Sequence, residues 1–515
     1  MTAISILEEP ISTSEPVRGH GFDWNLPAPR PSGPVQPVSL GADSALLHTQ
    51  ERARIRRGIA AKLDQWRARH RFYHECIREY LRFAIPEDES VLFLGCEDGE
   101  LLAALRPRRG VGVDSCPEMI ALARRKHGQH DYVTAPDYAV DLDEPFAYIV
   151  LNDITGEVDD LFTLLGGIAA LCEPGARVVI VQHNYLWRPL LRLASRLGLK
   201  RPDAKQNWLS AGDLRVFLQG AGFETIDVRS KLFCPLRLLG LGPIVNWVAG
   251  LVPLIHRMAS TEIIVARRVT AGEDVAGKTA TIVLTVRDER DNIEPIVRAI
   301  PKVGADDEIL FVEGHSTDGT RDEVRRMIEA YPHKNIKLLT QDGVGQGDAI
   351  RKGFASARGD VIILLEADRT SPPQDILKAF EVIATGRADY VNGTRFIYPR
   401  AKGAMPRLNA IGNWCFALWF TWFLGQRVSD VLCGIKAIDR KQYRRLDRNW
   451  GFLGVRDPFG DFELIFGAAR LGLKICEVPT RYGCRSYGVP KTKALRHGMM
   501  LLRMVARATV VFKCR

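Results

Sequence analysis

Short apolar runs recur along this chain, and between them lie stretches whose apolar residues return at the three-to-four-residue spacing of a helix. From Ser90 to Arg268 the runs are VLFLG, GVGVD, AYIVLN and RVVIVQ, followed by TIDVRS and EIIVARR. Alternation of such runs with helical segments predicts a parallel sheet covered by helices on both faces. The pattern breaks at TAGEDVAGK, residues 270–278, which is short, polar and glycine-bearing. It restarts with TIVLTV, EILFVEG, IKLLT and DVIILLEAD, separated by helical stretches such as TRDEVRRMIEAY. The chain is therefore expected to be α/β, with two doubly wound domains.

The remaining segments fit around this frame. Residues 1–40 carry Pro16, Pro27, Pro29, Pro31, Pro34 and Pro37 among glycines and polar groups, a composition expected of a flexible tail. From Ala42 to Phe83 the pattern is helical, interrupted near Gly58 and closed by Pro86. The predicted organisation is a tail over 1–40, a first domain over 41–269, a linker over 270–278 and a second domain over 279–515. Two apolar stretches, residues 238–255 and 414–424, are poor transmembrane candidates. The first holds prolines, glycines and Asn246, and the second is shorter than the roughly 20 residues a span requires. Two readings stay open: buried helices, or a tryptophan-rich helix at a membrane interface, which the basic amphipathic HGMMLLRMVARATVVFKCR favours.

Composition narrows the function classes. With 515 residues, 46% hydrophobic and 26% charged, the chain suits two full cores and excludes both extended disorder and a polytopic membrane protein. The net charge of +10 points to anionic partners. Its densest basic run, Arg52–Arg71, reads as one solvated helix face without the aromatic interleaving of a single-strand binder, so no nucleic-acid partner is expected. The 10 cysteines are scattered singly, which suggests neither zinc nor disulfides, and MTAISILEEP lacks a signal pattern. The expected location is cytoplasmic, with peripheral contact at the inner membrane face as an addition.

The second domain carries the clearer chemistry. The apolar run ending in DVIILLEADRTSPP delivers Glu366 and Asp368 at i, i+2, where two carboxylates emerge on one side of an extended segment and can share a hard cation with diphosphate oxygens. Glu289 follows TIVLTV and is placed to accept hydrogen bonds from a nucleoside. Glu313 ends EILFVEG, with Ser316, Thr317 and Asp318 able to cap the next helix. Ligands of open α/β sheets gather at these carboxyl ends.

Over residues 278–495 these motifs, with GQGDAIRKGFASARGD, NGTR, VSDVLCGIKA, DPFGDFELIFGAARLG and EVPTRYGCRSYG, resemble the family-2 glycosyltransferases, close to dolichyl- or polyprenyl-phosphate sugar synthases. The resemblance implies a GT-A fold and transfer of a sugar with inversion from a nucleotide-sugar to a lipid-phosphate or glycan acceptor. It implies that Glu366 and Asp368 bind Mg²⁺ or Mn²⁺ and that Glu289 and Glu313 contact the nucleoside. Arg351, Arg395 and Arg485 become the phosphate partners, with Lys491 and Lys493 nearby, because guanidinium forks suit phosphate oxygens. Asp430 and Asp461 compete for the role of base. The chain departs from the family pattern at Glu366, Glu313, Asp288 and Gln346.

In the first domain VLFLGCEDGELLAAL is strand, glycine turn and helix, and GVGVDSCPEMIALAR ends its strand with an acid that can hold both ribose hydroxyls. The order resembles class I methyltransferases with a Rossmann-like fold, which implies S-adenosylmethionine held by Gly95, Glu97, Gly99 and Asp114. Glu97 and Ala147 depart from that family's pattern. Asn152, Asp153, His183 and Tyr185 lie where such sites form. The expected function is a bifunctional enzyme of glycan or glycolipid synthesis. The alternative is a glycosyltransferase whose methyltransferase-like half is a scaffold.

Overall fold

Two seven-stranded mixed sheets organise the chain. The computed structural model describes residues 42–202, 207–237, 240–252, 255, 257–269, 275–399, 404–455, 457, 459–483 and 494–514. The expected tail and residues 270–274 of the expected linker lie outside them; residues 275–277 form a short 3₁₀ turn.

The first sheet contains β1 (Ser90–Leu94), β2 (Arg109–Asp114), β3 (Asp131–Thr134), β4 (Phe146–Asn152), β5 (Cys172–His183), β6 (Phe223–Lys231) and β7 (Thr261–Arg268), in the order β3-β2-β1-β4-β5-β7-β6. Strand β7 runs antiparallel to both β5 and β6. The second contains β8 (Ala280–Val286), β9 (Asp307–Glu313), β10 (Ile336–Thr340), β11 (Val361–Leu364), β12 (Tyr390–Thr394), β13 (Lys436–Asp439) and β14 (Ile475–Pro479), in the order β10-β9-β8-β11-β13-β12-β14. There β13 is antiparallel to β11 and β12. The sheets are thus mixed rather than wholly parallel, because alternation of apolar runs reports burial and not strand direction.

The central strands are buried along their length, as continuous apolar runs require. Strands without such runs gave no periodic signal. β12 and β13 hold Asn392 and Lys436, both fully buried, and the lysine Nζ donates to the asparagine Oδ1 at 2.9 Å. Each polar group stabilises the other's burial across the antiparallel pair. The leading helical region is three helices, Ala42–Ala60, Leu63–Arg69 and Arg71–Ala84; Gly58 stays helical and the breaks fall at residues 61–62 and at His70.

Gln50–Arg515 cluster as one unit, and the seam between its sheets is charged and buried. Arg177 on β5 donates from Nε to the Gly472 carbonyl at 2.6 Å and pairs with Asp389 at 2.7 Å. Arg445 binds Glu89, Arg229 binds Asp227 and donates to the Ala469 carbonyl, and Lys231 donates to the Phe512 carbonyl at 2.9 Å. Phe83 meets Phe512 edge-on at 5.3 Å, while Arg470 lies over the Phe83 and Phe452 rings at 5.1 and 4.9 Å. Gly425, at φ 75°, comes so close to Asp227 that an added Cβ would lie 2.2 Å from its Oδ1. Truncating one partner of a buried pair leaves an uncompensated charge, so Arg177→Met is expected to cost about 3 kcal/mol. The measurement is the denaturant midpoint of the full chain against wild type; an unchanged midpoint would show the pair to be neutral.

Candidate functional site

Adjacent parallel strands β9, β8 and β11 bring three acidic turns to one edge of the second sheet. Strand β11 stops at Leu364, so Glu366 and Asp368 sit in the turn beyond it rather than on the strand. Asp368 is buried and its Oδ1 accepts from the Thr370 backbone N–H at 3.0 Å and hydroxyl at 2.8 Å. Glu366 accepts from Gln346 Nε2 at 3.3 Å. A Cβ on Gly434 would fall 2.2 Å from the Glu366 Cδ, so the carboxyl rests on a bare backbone. Burial, then Asp368 and Asp461, push Glu366 up to about 7. Asp461 opens the helix Asp461–Arg470, with Lys436 Nζ 3.2 Å from its Oδ1. Burial lifts Asp461 to about 6 against the pull of that lysine.

Glu289 and Glu313 are at the heads of the neighbouring turns. Glu289 precedes the helix Arg290–Ala299 and accepts from Asn292 Nδ2 at 2.6 Å. Glu313 accepts from the Ser316 N–H and pairs with Arg321 at 3.2 Å. Asp318, rather than Ser316 or Thr317, accepts from the first-turn N–H of Thr320, at 3.0 Å.

The two candidate bases differ sharply. Asp430 is 0% exposed, and Arg395 grips it twice at 2.7 Å through Nε and Nη2. The N–H groups of Arg395 and Leu432 take the other two acceptor directions, at 3.1 and 3.2 Å. A carboxylate so filled has no lone pair left for a substrate proton. Its role is to hold Arg395, which lies over the Tyr482 ring at 4.9 Å and acts electrostatically on both Glu366 and Asp461. Arg351 is turned elsewhere, paired with Asp447 at 2.8 Å over the Trp450 ring. Arg485, Lys491 and Lys493 lie outside the described residues. Sequence reasoning missed Lys436, Arg321 and Tyr482 as site residues. Only Gln346 carried a signal, as a departure from the family pattern.

Among the described residues no three His, Cys, Asp or Glu side chains converge at metal spacing. Two adjacent carboxylates nevertheless suit Mg²⁺ or Mn²⁺, which take one or two protein carboxylates and fill the shell with phosphate oxygens and water. Burial raises Glu366 first and the charges of Asp368 and Asp461 add to it, a repulsion that a bound dication would relieve.

The first domain's cleft is arranged differently. Gly95 and Gly99 take φ of 79° and 80° in the turn after β1, as the glycine motif requires. Asp114 is fully buried at the end of β2. Both its oxygens, however, face Arg56 Nη1 at 3.2 Å, and the N–H groups of Glu97 and Cys116 donate to them at 3.1 and 2.9 Å. Arg56 also holds Glu157, at 3.0 and 2.6 Å. Glu97 is gripped by Arg201 and by Arg67, which outweigh burial and draw it down to about 2. Arg67 further pairs with Asp98 at 2.6 Å. The basic run read as a solvated face therefore turns Arg56 and Arg67 inward, since buried acids at the cleft need compensation. Asp153 pairs with Arg201 at 3.0 Å and lies 3.9 Å from His183, Asn152 donates to the Gly95 carbonyl at 3.4 Å, and Tyr185 is exposed. Arg56 thus shares the Asp114 oxygens to which the motif assigns the ribose of S-adenosylmethionine.

The family model described as a methyltransferase domain matches residues 67–228, and that described as glycosyl transferase family 2 matches residues 281–457. The glycosyltransferase AglJ of Haloferax volcanii is 32% identical over 182 residues, 35% of this chain and 55% of that protein. A dolichol-phosphate mannosyltransferase of Pyrococcus furiosus is 26% identical over 244 residues, 43% of this chain and 63% of that protein. The chain thus spans less than two thirds of the length of these curated relatives. Among solved structures, glucosyl-3-phosphoglycerate synthase of Mycobacterium tuberculosis, crystallised with Mn²⁺, UDP-glucose and phosphoglyceric acid, is 19% identical, with 45% of this chain and 80% of that one covered and a TM-score of 0.34.

A cation must displace the proton that Glu366 carries below about 7. Affinity for Mn²⁺, measured by titration calorimetry on the full chain without donor, is expected to rise roughly tenfold as the pH goes from about 6 to about 7.5 and then level off. Glu366→Gln is expected to bind weakly with a flattened profile; an unchanged profile in that variant would remove Glu366 from the cation site.

Proposed function

From the premise that a methyltransferase domain precedes a glycosyl transferase family 2 domain in this chain, we propose that it transfers a sugar from a nucleotide-sugar to a polyprenyl-phosphate-type lipid acceptor. The observation that carries this reading is the pair Glu366 and Asp368 in the turn beyond β11, with Glu366 pushed up to about 7 by burial first and then by Asp368 and Asp461. The relative named as a dolichol-phosphate mannosyltransferase supports the acceptor class.

When bound, a divalent cation at Glu366 and Asp368 neutralises the donor diphosphate as it becomes the leaving group. The chain's own residues do the rest. Glu289 and Glu313 accept hydrogen bonds from the nucleoside. Arg395, fixed by Asp430, offers its remaining donor face to the leaving phosphate. Asp461 accepts the proton of an acceptor phosphate that arrives singly protonated, as the phosphate oxygen bonds to the anomeric carbon and the sugar–phosphate bond of the donor breaks. One displacement of this kind inverts the anomeric centre. With Asp461 raised to about 6, the base is protonated and inactive below that pH and competent above it.

A second reading of the first domain is favoured by Arg56. While that guanidinium occupies Asp114, the domain acts as a scaffold fused to the transferase, and methyl transfer is not assigned to it. The test is calorimetric titration of the full chain with S-adenosylmethionine. Wild type is expected to bind at least about tenfold more weakly than Arg56→Ala, because one charged hydrogen-bonding partner accounts for about 1.5–3 kcal/mol. Equal, tight binding by both would restore the cofactor site as expected from the motif.

For the transfer step, Asp461→Asn is expected to lower kcat by about 10²–10⁴ while donor KM changes little. Asp368→Ala is expected to abolish metal-dependent donor binding and leave the melting temperature near wild type. Donor turnover with purified chain and a polyprenyl phosphate reads both; full turnover by either variant would displace the proposed roles.

A further inference from the structure

The chain has 61 acidic residues, and none falls in residues 174–202, 228–261, 390–429 or 478–515. Those four stretches carry lysines and arginines only. They also hold most of the exposed large apolar side chains among the described residues. In a water-facing protein, apolar side chains are normally exposed singly, interspersed with both charge signs.

Exposure follows helical spacing. On the helix Arg188–Arg196 and its flanks, Leu186, Leu190, Leu193 and Leu197 recur at the spacing of one face, 62%, 53%, 51% and 63% exposed, with Arg188, Arg192 and Arg196 between them. The helix Leu241–Leu251 likewise leaves Ile244 and Val248 open, and the helix Arg407–Leu424 buries Phe420 and Phe423 while its opposite side presents Ile411 and Trp414. The helix Leu241–Leu251 is thus largely open, residues 414–424 bury one side only, and no described helix is long and apolar enough to cross a membrane.

These surfaces join into one belt across both domains. Trp187 meets Phe233 edge-on at 5.8 Å and donates to the Met258 carbonyl at 2.7 Å, linking the first helix to the segment that holds the second. The helix Leu241–Leu251 packs on the turn Val510–Cys514, which also packs on Arg407–Leu424, with Lys513 over Trp422 at 5.5 Å. Asn413 of that last helix bonds the Ser429 carbonyl and the Val431 N–H on either side of Asp430, so the belt ends beside the clamp on Arg395.

We propose that this belt is the surface on which the chain lies against an anionic bilayer, and that the methyltransferase domain supplies the helices Arg188–Arg196 and Leu241–Leu251 to it. Aliphatic side chains enter the acyl boundary while the flanking arginines meet anionic headgroups. A second copy of the chain is a poor occupant, because pairing two such faces sets cations against cations without a carboxylate between them. The first domain thereby acquires a function that needs no cofactor: it holds the transferase at the lipid surface.

The test is flotation of the full chain, without donor or acceptor, with vesicles of phosphatidylcholine plus phosphatidylglycerol and with phosphatidylcholine alone. Failure here is therefore separate from failure of the sugar-transfer reading. Binding is expected only to the anionic vesicles, to weaken with salt, and to fall at least about tenfold in Leu190→Glu/Leu193→Glu, whose sites are exposed and whose melting temperature and donor binding should match wild type. Ile244→Glu/Val248→Glu is the second variant and is expected to behave alike. Absence of binding to anionic vesicles, or wild-type binding by both variants, overturns the proposal. So does sedimentation showing a dimer that the same variants dissociate.

Discussion

A charge withdrawn from water must meet its opposite or change its protonation, and this constraint sorts the molecule's two clefts. Both sheets deliver carboxylates to the carboxyl ends of their strands. In the first, Arg56, Arg67 and Arg201 reach in and compensate Asp114, Glu97, Asp98 and Asp153. In the second, Arg395 is held by Asp430, Lys436 contacts Asp461 and Arg321 pairs with Glu313. Burial raises the Glu366 carboxyl, with Asp368 and Asp461 adding to it. The acids of the first cleft are met by arginines, whereas Glu366 in the second takes its hydrogen bond from the neutral Gln346.

The same rule builds the seam. Arg177, Arg229 and Arg445 are buried where the sheets approach, and each finds a carboxylate or carbonyl within reach. Such pairs add less net stability than their number suggests, since desolvation offsets much of their attraction. They instead restrict how the two halves fit together. The aromatic cluster of Phe83, Phe452 and Phe512 supplies apolar burial alongside them.

What was legible in the sequence follows from what is local. The strands β1, β2, β4, β5, β8, β9, β10 and β11 announce themselves as apolar runs, and the acids at their ends follow directly. Strands β12 and β13 do not, because Asn392 and Lys436 satisfy each other across the sheet, a pairing of residues 44 apart in sequence. The inward turn of Arg56 was equally hidden, since its partner Asp114 is 58 residues away. Asp430 and Asp461 look alike as motif acids. Only their surroundings, a bidentate guanidinium for one and a single lysine contact for the other, set them apart.

At the seam, Gly425 approaches Asp227 so closely that any larger residue there would force the packing to shift. In the first cleft a single side chain of the helix Ala42–Ala60, Arg56, covers Asp114, so the charge balance of that carboxylate is set by one residue 58 positions away.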